Sequence, residues 1–151
     1  MTRPIRASKD GTFRVELAEG ERELLNALVP QLREMLVGED DPDLRRLFPA
    51  AYADDAEREQ EYALLTHDEL LAKRLADLDA LEAFAAAEQL SEEQVLGAMG
   101  AVNSLRLVLG TRLDVSEDMD DIDAEHPDAP AIAVYHYLSY LLEAIVSSLT
   151  P

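Results

Sequence analysis

Most of the chain alternates apolar and polar residues with the spacing of amphipathic helices. The clearest stretch follows Ser91, where large apolar residues recur three and four positions apart. They are Val95, Met99, Val102, Leu105, Val108 and Leu109. Ser91 and Gln94 form a capping box, which predicts a helix that starts at Ser91 and runs to Leu113. Gly110 lies inside this pattern, so it indicates either a close neighbour or a fraying helix end.

Two helices are predicted before this one in the first half of the chain. Residues 19–37 carry a leucine-rich stripe, and Gly38 closes the segment. Pro30 interrupts the stripe and is expected to kink or split the helix. A short helix is predicted for residues 43–48, opened by Pro42.

The centre and the end of the chain also read as helical. Residues 50–65 form an acidic helical segment, and Thr66 with Glu69 makes a second capping box for a helix up to about residue 88. The last helix spans residues 129–149 and carries a broad apolar face. A face of that width is either buried within the monomer or shared with a second subunit as a homodimer.

The N-terminal residues 1–17 follow a different pattern. The sequence Lys9-Asp10-Gly11-Thr12 is a turn signal between two short alternating stretches, and it predicts a β-hairpin whose apolar face packs on helices. The fold class that follows is mainly α. We expect a single domain, residues 1–151, built as a helical bundle of about five to six helices with a short N-terminal β-hairpin (helices in 18–113 and 129–149).

The net charge of the chain limits the classes of macromolecule that it is expected to bind. The formal net charge is −19, and four of the thirteen basic residues lie in the first fourteen positions. An acidic body of this kind disfavours direct nucleic-acid binding and favours partners with a basic protein surface. The alternative is that most of these charges serve solubility alone.

Residues 114–128 contain eight acidic residues and are expected to form a solvated linker. Their acidic run lacks the glycine and terminal glutamate of an EF-hand, so no metal site is predicted. The chain has no cysteine, which excludes disulfides and thiol catalysis. It also shows no apolar run of membrane-spanning length and no signal-peptide core, so we expect a cytoplasmic protein without a membrane association.

Motifs for catalysis and cofactor binding are missing from the sequence. His67, His126 and His136 lie in separate segments without ligand spacing, and no glycine loop suited to phosphate is present. We therefore expect no enzyme activity and no cofactor, with an enzyme of another kind as an alternative.

Two arginines are the unusual feature of the helix after Ser91. Asn103 and Arg106 share one side of it, and Arg112 follows close to its end. An arginine among apolar positions needs a carboxylate partner, because an unpaired buried charge is costly. We expect Arg106, and also Arg112, to pair with acids of residues 54–61. The alternative is that the arginines contact an anion or a partner protein.

Three blocks of the sequence resemble one known family. They are RLFPAAYADD with EYALLT (residues 46–55 and 61–66), NSLRLVLGTRL (103–113) and YHYLSYL (135–141). This pattern is similar to the actinobacterial oxidative stress regulator family, AosR, typically encoded beside the Clp adaptor ClpS. The resemblance covers nearly the whole chain, and its middle block is the most specific. From these blocks come the candidate structural or partner-contact residues: Asn103, Arg106, Arg112, Tyr52, Asp54, Asp55 and Glu61.

The resemblance implies a cytosolic regulator of transcription that acts with an alternative sigma factor. In that family a cysteine pair is the switch, and this chain has none, so a thiol switch cannot operate here. The function expected is a non-enzymatic, stress-linked regulator that binds a basic partner such as a sigma factor. An accessory or adaptor protein in Clp-dependent proteolysis is the alternative.

Overall fold

The computed structural model describes residues 3–38, 41–48, 55–113 and 127–150, apart from the side chains of 59 and 62–65. Within these ranges the elements are four α-helices, one short 3₁₀ helix and three β-strands. They run in the order β1 (Ile5–Ala7), β2 (Phe13–Val15), α1 (Glu19–Gly38), the 3₁₀ helix (Pro42–Arg46), α2 (Ala56–Ala86), β3 (Gln89–Leu90), α3 (Glu92–Leu113) and α4 (Ala129–Leu149). The prediction of a mainly α bundle with an N-terminal hairpin is confirmed.

Helix α1 is continuous through Pro30, so the predicted split is wrong. Its buried face lies on both sides of the proline and is formed by Leu25, Val29, Leu32 and Leu36. Packing of this stripe holds the two halves in one helix, although the proline ring removes one backbone donor. At the start of α1, the Glu21 carboxylate accepts a hydrogen bond from the Ala18 amide at 2.8 Å.

Helix α2 is a single helix of 31 residues, and the predicted new start at Thr66 is wrong. Asp55 caps it instead, with its side chain accepting a hydrogen bond from the Arg58 amide at 3.1 Å. No glycine or proline occurs between Ala56 and Ala86. Without such a residue nothing ends the first helical segment, and the Thr66–Glu69 spacing falls inside a continuing helix.

Helices α2 and α3 form the most extensive contact of the bundle. Two glycines of α3 allow this close approach. A Cβ atom on Gly97 would lie 2.6 Å from the Cβ of Ala80, and one on Gly100 would collide with the buried carboxylate of Asp77. The chain therefore needs small residues at this helix crossing.

The hairpin is extended to three strands in the order β1-β2-β3. Ile5 pairs with Val15, and Phe13 pairs with both Ala7 and Leu90, all antiparallel. The turn uses Gly11 with φ +87°. The apolar face of the sheet is buried, as predicted, and β1 lies against α4.

Helix α3 lies at the centre of the bundle and contacts α2, α4 and the 3₁₀ helix. Helix α4 contributes Ile132, Leu138, Leu141 and Ile145 to the core, and its bounds match the predicted helix. It is also long and apolar enough to meet a length-and-composition test for a membrane span, which is weak evidence because core helices meet the same test. The predicted acidic linker lies almost wholly outside the described residues.

Candidate partner-binding site

Asn103 and Arg106 lie one turn apart on α3 and are both partly buried. The Nη2 atom of Arg106 donates a hydrogen bond to Oδ1 of Asn103 at 3.3 Å. The Nε atom of Arg106 is buried and has no hydrogen-bond partner among the described residues. The expected ion pair with residues 54–61 is not formed with any described side chain. Arg106 is thus a half-buried cation held by an amide oxygen.

Arg112 does form ion pairs, but with different acids from those predicted. Its Nε donates to Oδ2 of Asp43 at 2.9 Å, and its Nη2 lies 4.0 Å from Oδ2 of Asp41. The same guanidinium is 3.8 Å from the sulfur of Met35. The predicted partner segment is therefore wrong for Arg112. The reason is that the 3₁₀ helix packs against α3 and brings Asp43 to Arg112.

Two of the other predicted contact residues, Asp55 and Glu61, lie near the start of α2. Asp55 is the N-cap of that helix, and Glu61 is exposed six residues further on. Tyr52 and Asp54 lie outside the described residues. The structure therefore places Asp55 and Glu61 in the N-terminal part of α2, and neither forms an ion pair with Arg112 among the described residues.

An acidic face runs along the N-terminal half of α2. Glu57, Glu61 and Asp68 are all exposed, and they are spaced by four and seven residues. That spacing places them on one side of the helix over roughly 16 Å. None of the three forms an ion pair with another described side chain. We call Glu57, Glu61 and Asp68 the α2 acidic face; Glu57 and Asp68 were not predicted, although their spacing could have revealed them.

Elsewhere in the bundle the cations neutralise other acids. Arg33 of α1 bonds Asp79 at 3.0 Å and Glu82 at 3.1 Å, and both acids belong to the C-terminal half of α2. The hydrogen bond to Glu82 is the main cause that raises the pKa of Arg33. Lys73 bonds the buried Asp77 at 2.8 Å. Arg33 and Lys73 are therefore engaged by acids outside the α2 acidic face, and no ion pair joins that face to another described side chain.

A small cleft lies between α1, α3 and α4. Its volume is about 100 Å³, and its lining is mostly apolar, with Gln31 and Arg112 as the polar residues. It offers no histidine and no carboxylate for acid–base chemistry. Within the described part of the chain, no three histidine, aspartate or glutamate side chains come together as a metal site would require.

One family model matches this chain over residues 2–149. Its description is Domain of unknown function (DUF2017). No curated protein and no solved structure matches the chain.

Proposed function

We propose that this chain, which belongs to the DUF2017 family, is a non-enzymatic regulatory protein that binds a partner with a basic surface. The α2 acidic face carries the proposal. It presents three carboxylates on one side of a helix, and no described side chain neutralises them. Carboxylates grouped on one exposed side of a helix raise the rate of encounter with a cationic protein surface, and they repel a phosphate backbone.

The start of α2 is also free to take part in an interface. From Ala56 to Ala76, none of the described side chains is fully buried, whereas Leu78, Leu81 and Phe84 further along the helix lie in the core. Leu71 and Leu75 of this stretch pack against the core, so a partner that leaves the bundle undisturbed contacts only the exposed acidic side of the helix. Asp55 and Glu61 are the predicted contact residues that lie in this part of the helix.

We further propose that the partner belongs to the transcription machinery and that its binding is linked to stress. This finer assignment is supported by the three sequence blocks that resemble the AosR family, and the partner it suggests is a sigma factor. The stimulus acts through something other than a thiol, because the chain has no cysteine.

The test compares three forms of the full chain as immobilised baits in an extract of the native host. The first is wild type, and the second is the face variant Glu57→Gln/Glu61→Gln/Asp68→Asn. The third is a control, Glu23→Gln/Glu34→Gln/Glu92→Gln, which changes the net charge equally at exposed positions of α1 and α3. Captured proteins are identified by mass spectrometry at about 0.05 M and about 0.5 M salt, which brackets the screening of surface charges.

We expect wild type and control to enrich a sigma factor or polymerase subunit at low salt. The face variant, and wild type at high salt, should lose it. Enrichment of no transcription protein by wild type at low salt would refute the transcription assignment. Equal enrichment by the face variant would refute the α2 acidic face as the binding surface.

A further inference from the structure

Helix α4 has an exposed side that carries almost no charge. Between Ala129 and Leu149 the only charged residue is Glu143, in a chain with a net charge of −19. Only 22% of its most apolar 18-residue window is buried in the monomer. Tyr140 is 47% exposed and Val146 is 45% exposed, so apolar side-chain area of this helix remains open in the monomer.

The geometry points to a second copy of this chain as the occupant of this side, so we propose that α4 packs antiparallel against α4 of the second copy. Charge is the first argument. Exposed acids line the other helices, such as Glu23 and Glu34 on α1 and Glu92 on α3. Two copies that met through those helices would bring carboxylates together, whereas α4 offers a nearly neutral surface.

The order of residues along the exposed side is the second argument. Ala133, His136, Tyr140, Glu143 and Ser147 are exposed at helical spacing. Ala133 lies seven residues before Tyr140 and Ser147 seven residues after it. An antiparallel pair with Tyr140 on the two-fold axis therefore places small residues opposite each other, as a self-complementary interface requires. Each helix then meets the partner's small side chains, which allows close approach.

The single charge of α4 is compatible with this arrangement. Glu143 lies three residues beyond Tyr140, so the two copies of Glu143 fall six residues apart along the interface, or about 9 Å. The two carboxylates are therefore offset along the contact rather than facing each other.

A shallow cavity beside Tyr140 completes the surface. It has a volume of about 290 Å³ and lies between α4 and the N-terminal residues, with Pro4, Ile5, Ala144 and Ser147 among its lining. Arg3, Tyr140, Glu143 and Ser148 complete the lining, so the cavity offers the second α4 both apolar and charged contacts. The pairing thus uses the start of the hairpin as well as the helix, and it does not depend on the partner proposed for the α2 acidic face.

Sedimentation equilibrium of the full chain tests the proposal, over about 1 µM to about 1 mM to cover weak and moderate dissociation constants. We expect the mass to rise from 16.7 kDa towards twice that value. Tyr140→Glu should weaken the dimer at least tenfold, because it places two carboxylates on the axis. Val37→Glu is the control, since Val37 is 67% exposed on α1, and it should dimerise like wild type.

A crosslinking measurement keeps the test independent of folding effects. The chain has no cysteine, so Tyr140→Cys and Val37→Cys each carry a single thiol. A short bis-maleimide should join two Tyr140→Cys chains efficiently and two Val37→Cys chains poorly. A wild-type monomer at the highest concentration, or a dimer that Tyr140→Glu leaves intact, would overturn the proposal and assign the α4 surface to a different partner.

Discussion

Arg112 near the end of α3 holds Asp43 of the 3₁₀ helix, with 2.9 Å between Nε and Oδ2. The contact joins residues 69 positions apart and fixes the short helix against the bundle. The arginine side chain is 53% exposed and that of Asp43 is 21% exposed, so water screens the pair considerably. It orients two elements more than it stabilises them.

A double-mutant cycle measures this pair. Arg112→Ala and Asp43→Ala should show a coupling of about 0.5–1 kcal/mol, as solvent-exposed ion pairs do. Urea unfolding of the two single variants, the double variant and wild type gives the value. A coupling indistinguishable from zero would mean that the contact contributes nothing to the folded state.

Arg106 and Arg33 should respond differently to the same substitution. Methionine keeps the apolar stem of each arginine and removes the charge. Arg106→Met should leave the free energy of unfolding within about 0.5 kcal/mol of wild type or raise it, because its buried Nε has no partner. Arg33→Met should lower it by about 1 kcal/mol, because Asp79 and Glu82 lose their cation. A loss of about 3–5 kcal/mol in Arg106→Met would instead show a buried ion pair with an acid outside the described residues, such as Asp54.

Gly97 at the α2–α3 crossing and Gly20 of α1 should respond in opposite ways to replacement by alanine. Gly97→Ala should destabilise the protein by about 1–3 kcal/mol, because its Cβ would lie 2.6 Å from that of Ala80 and neither atom can rotate away. Gly20→Ala should stabilise it by up to about 1 kcal/mol, because nothing lies within 4 Å and alanine favours the helix. Thermal and urea unfolding of both variants provide the comparison. If both substitutions stabilise, the crossing is looser than these distances indicate.

Removing the N-terminal cap of α3 should lower the free energy of unfolding moderately. Gln94 N donates to Ser91 Oγ at 3.2 Å, while Ser91 N donates to Gln94 Oε1 at 2.9 Å. Ser91→Ala should therefore cost about 1 kcal/mol in unfolding free energy. Ser91→Asp, which can still cap, should recover most of the loss, and failure to do so would exclude capping as the cause.

Because of Tyr137, the free energy of unfolding should depend on pH in the alkaline range. Burial, and then the negative charge of Glu21, raise the pKa of its phenol above the usual value of 10. A raised pKa in the folded state gives stability that is complete below pH 10 and falls as the pH rises above it. Relative to wild type, Tyr137→Phe should therefore gain up to about 1.4 kcal/mol for each pH unit above 10. Parallel pH profiles of the two proteins in urea unfolding would contradict this.

Local signals in the sequence were sufficient to predict several of the helices and strands. The Ser91 capping box, the alternation around Gly11 and the apolar face of α4 each act within one element, and the structure confirms all three. The Thr66 capping box failed because a cap requires a break in the helix before it, and α2 has none. A two-residue strand such as β3 has no periodicity of its own, since its pairing with β2 defines it.

The candidate site was predictable only in part. The spacing of Glu57, Glu61 and Asp68 is present in the sequence, whereas the lack of counter-charge is not. That lack depends on where Arg33, Lys73 and Arg112 are engaged, and those contacts join residues up to 69 positions apart. Periodicity describes one helix at a time, so it cannot assign such pairs.

The sheet links the beginning of the chain to its middle. Phe13 pairs with Leu90, Val15 N donates to the Glu88 carbonyl at 2.8 Å, and Gln89 Nε2 donates to Thr12 Oγ1 at 2.7 Å. During synthesis, β2 of the N-terminal hairpin therefore cannot pair with β3 until some 75 further residues have left the ribosome. Until then its inner edge is an open β-edge, and four cations on these first residues are well placed to discourage pairing with other chains.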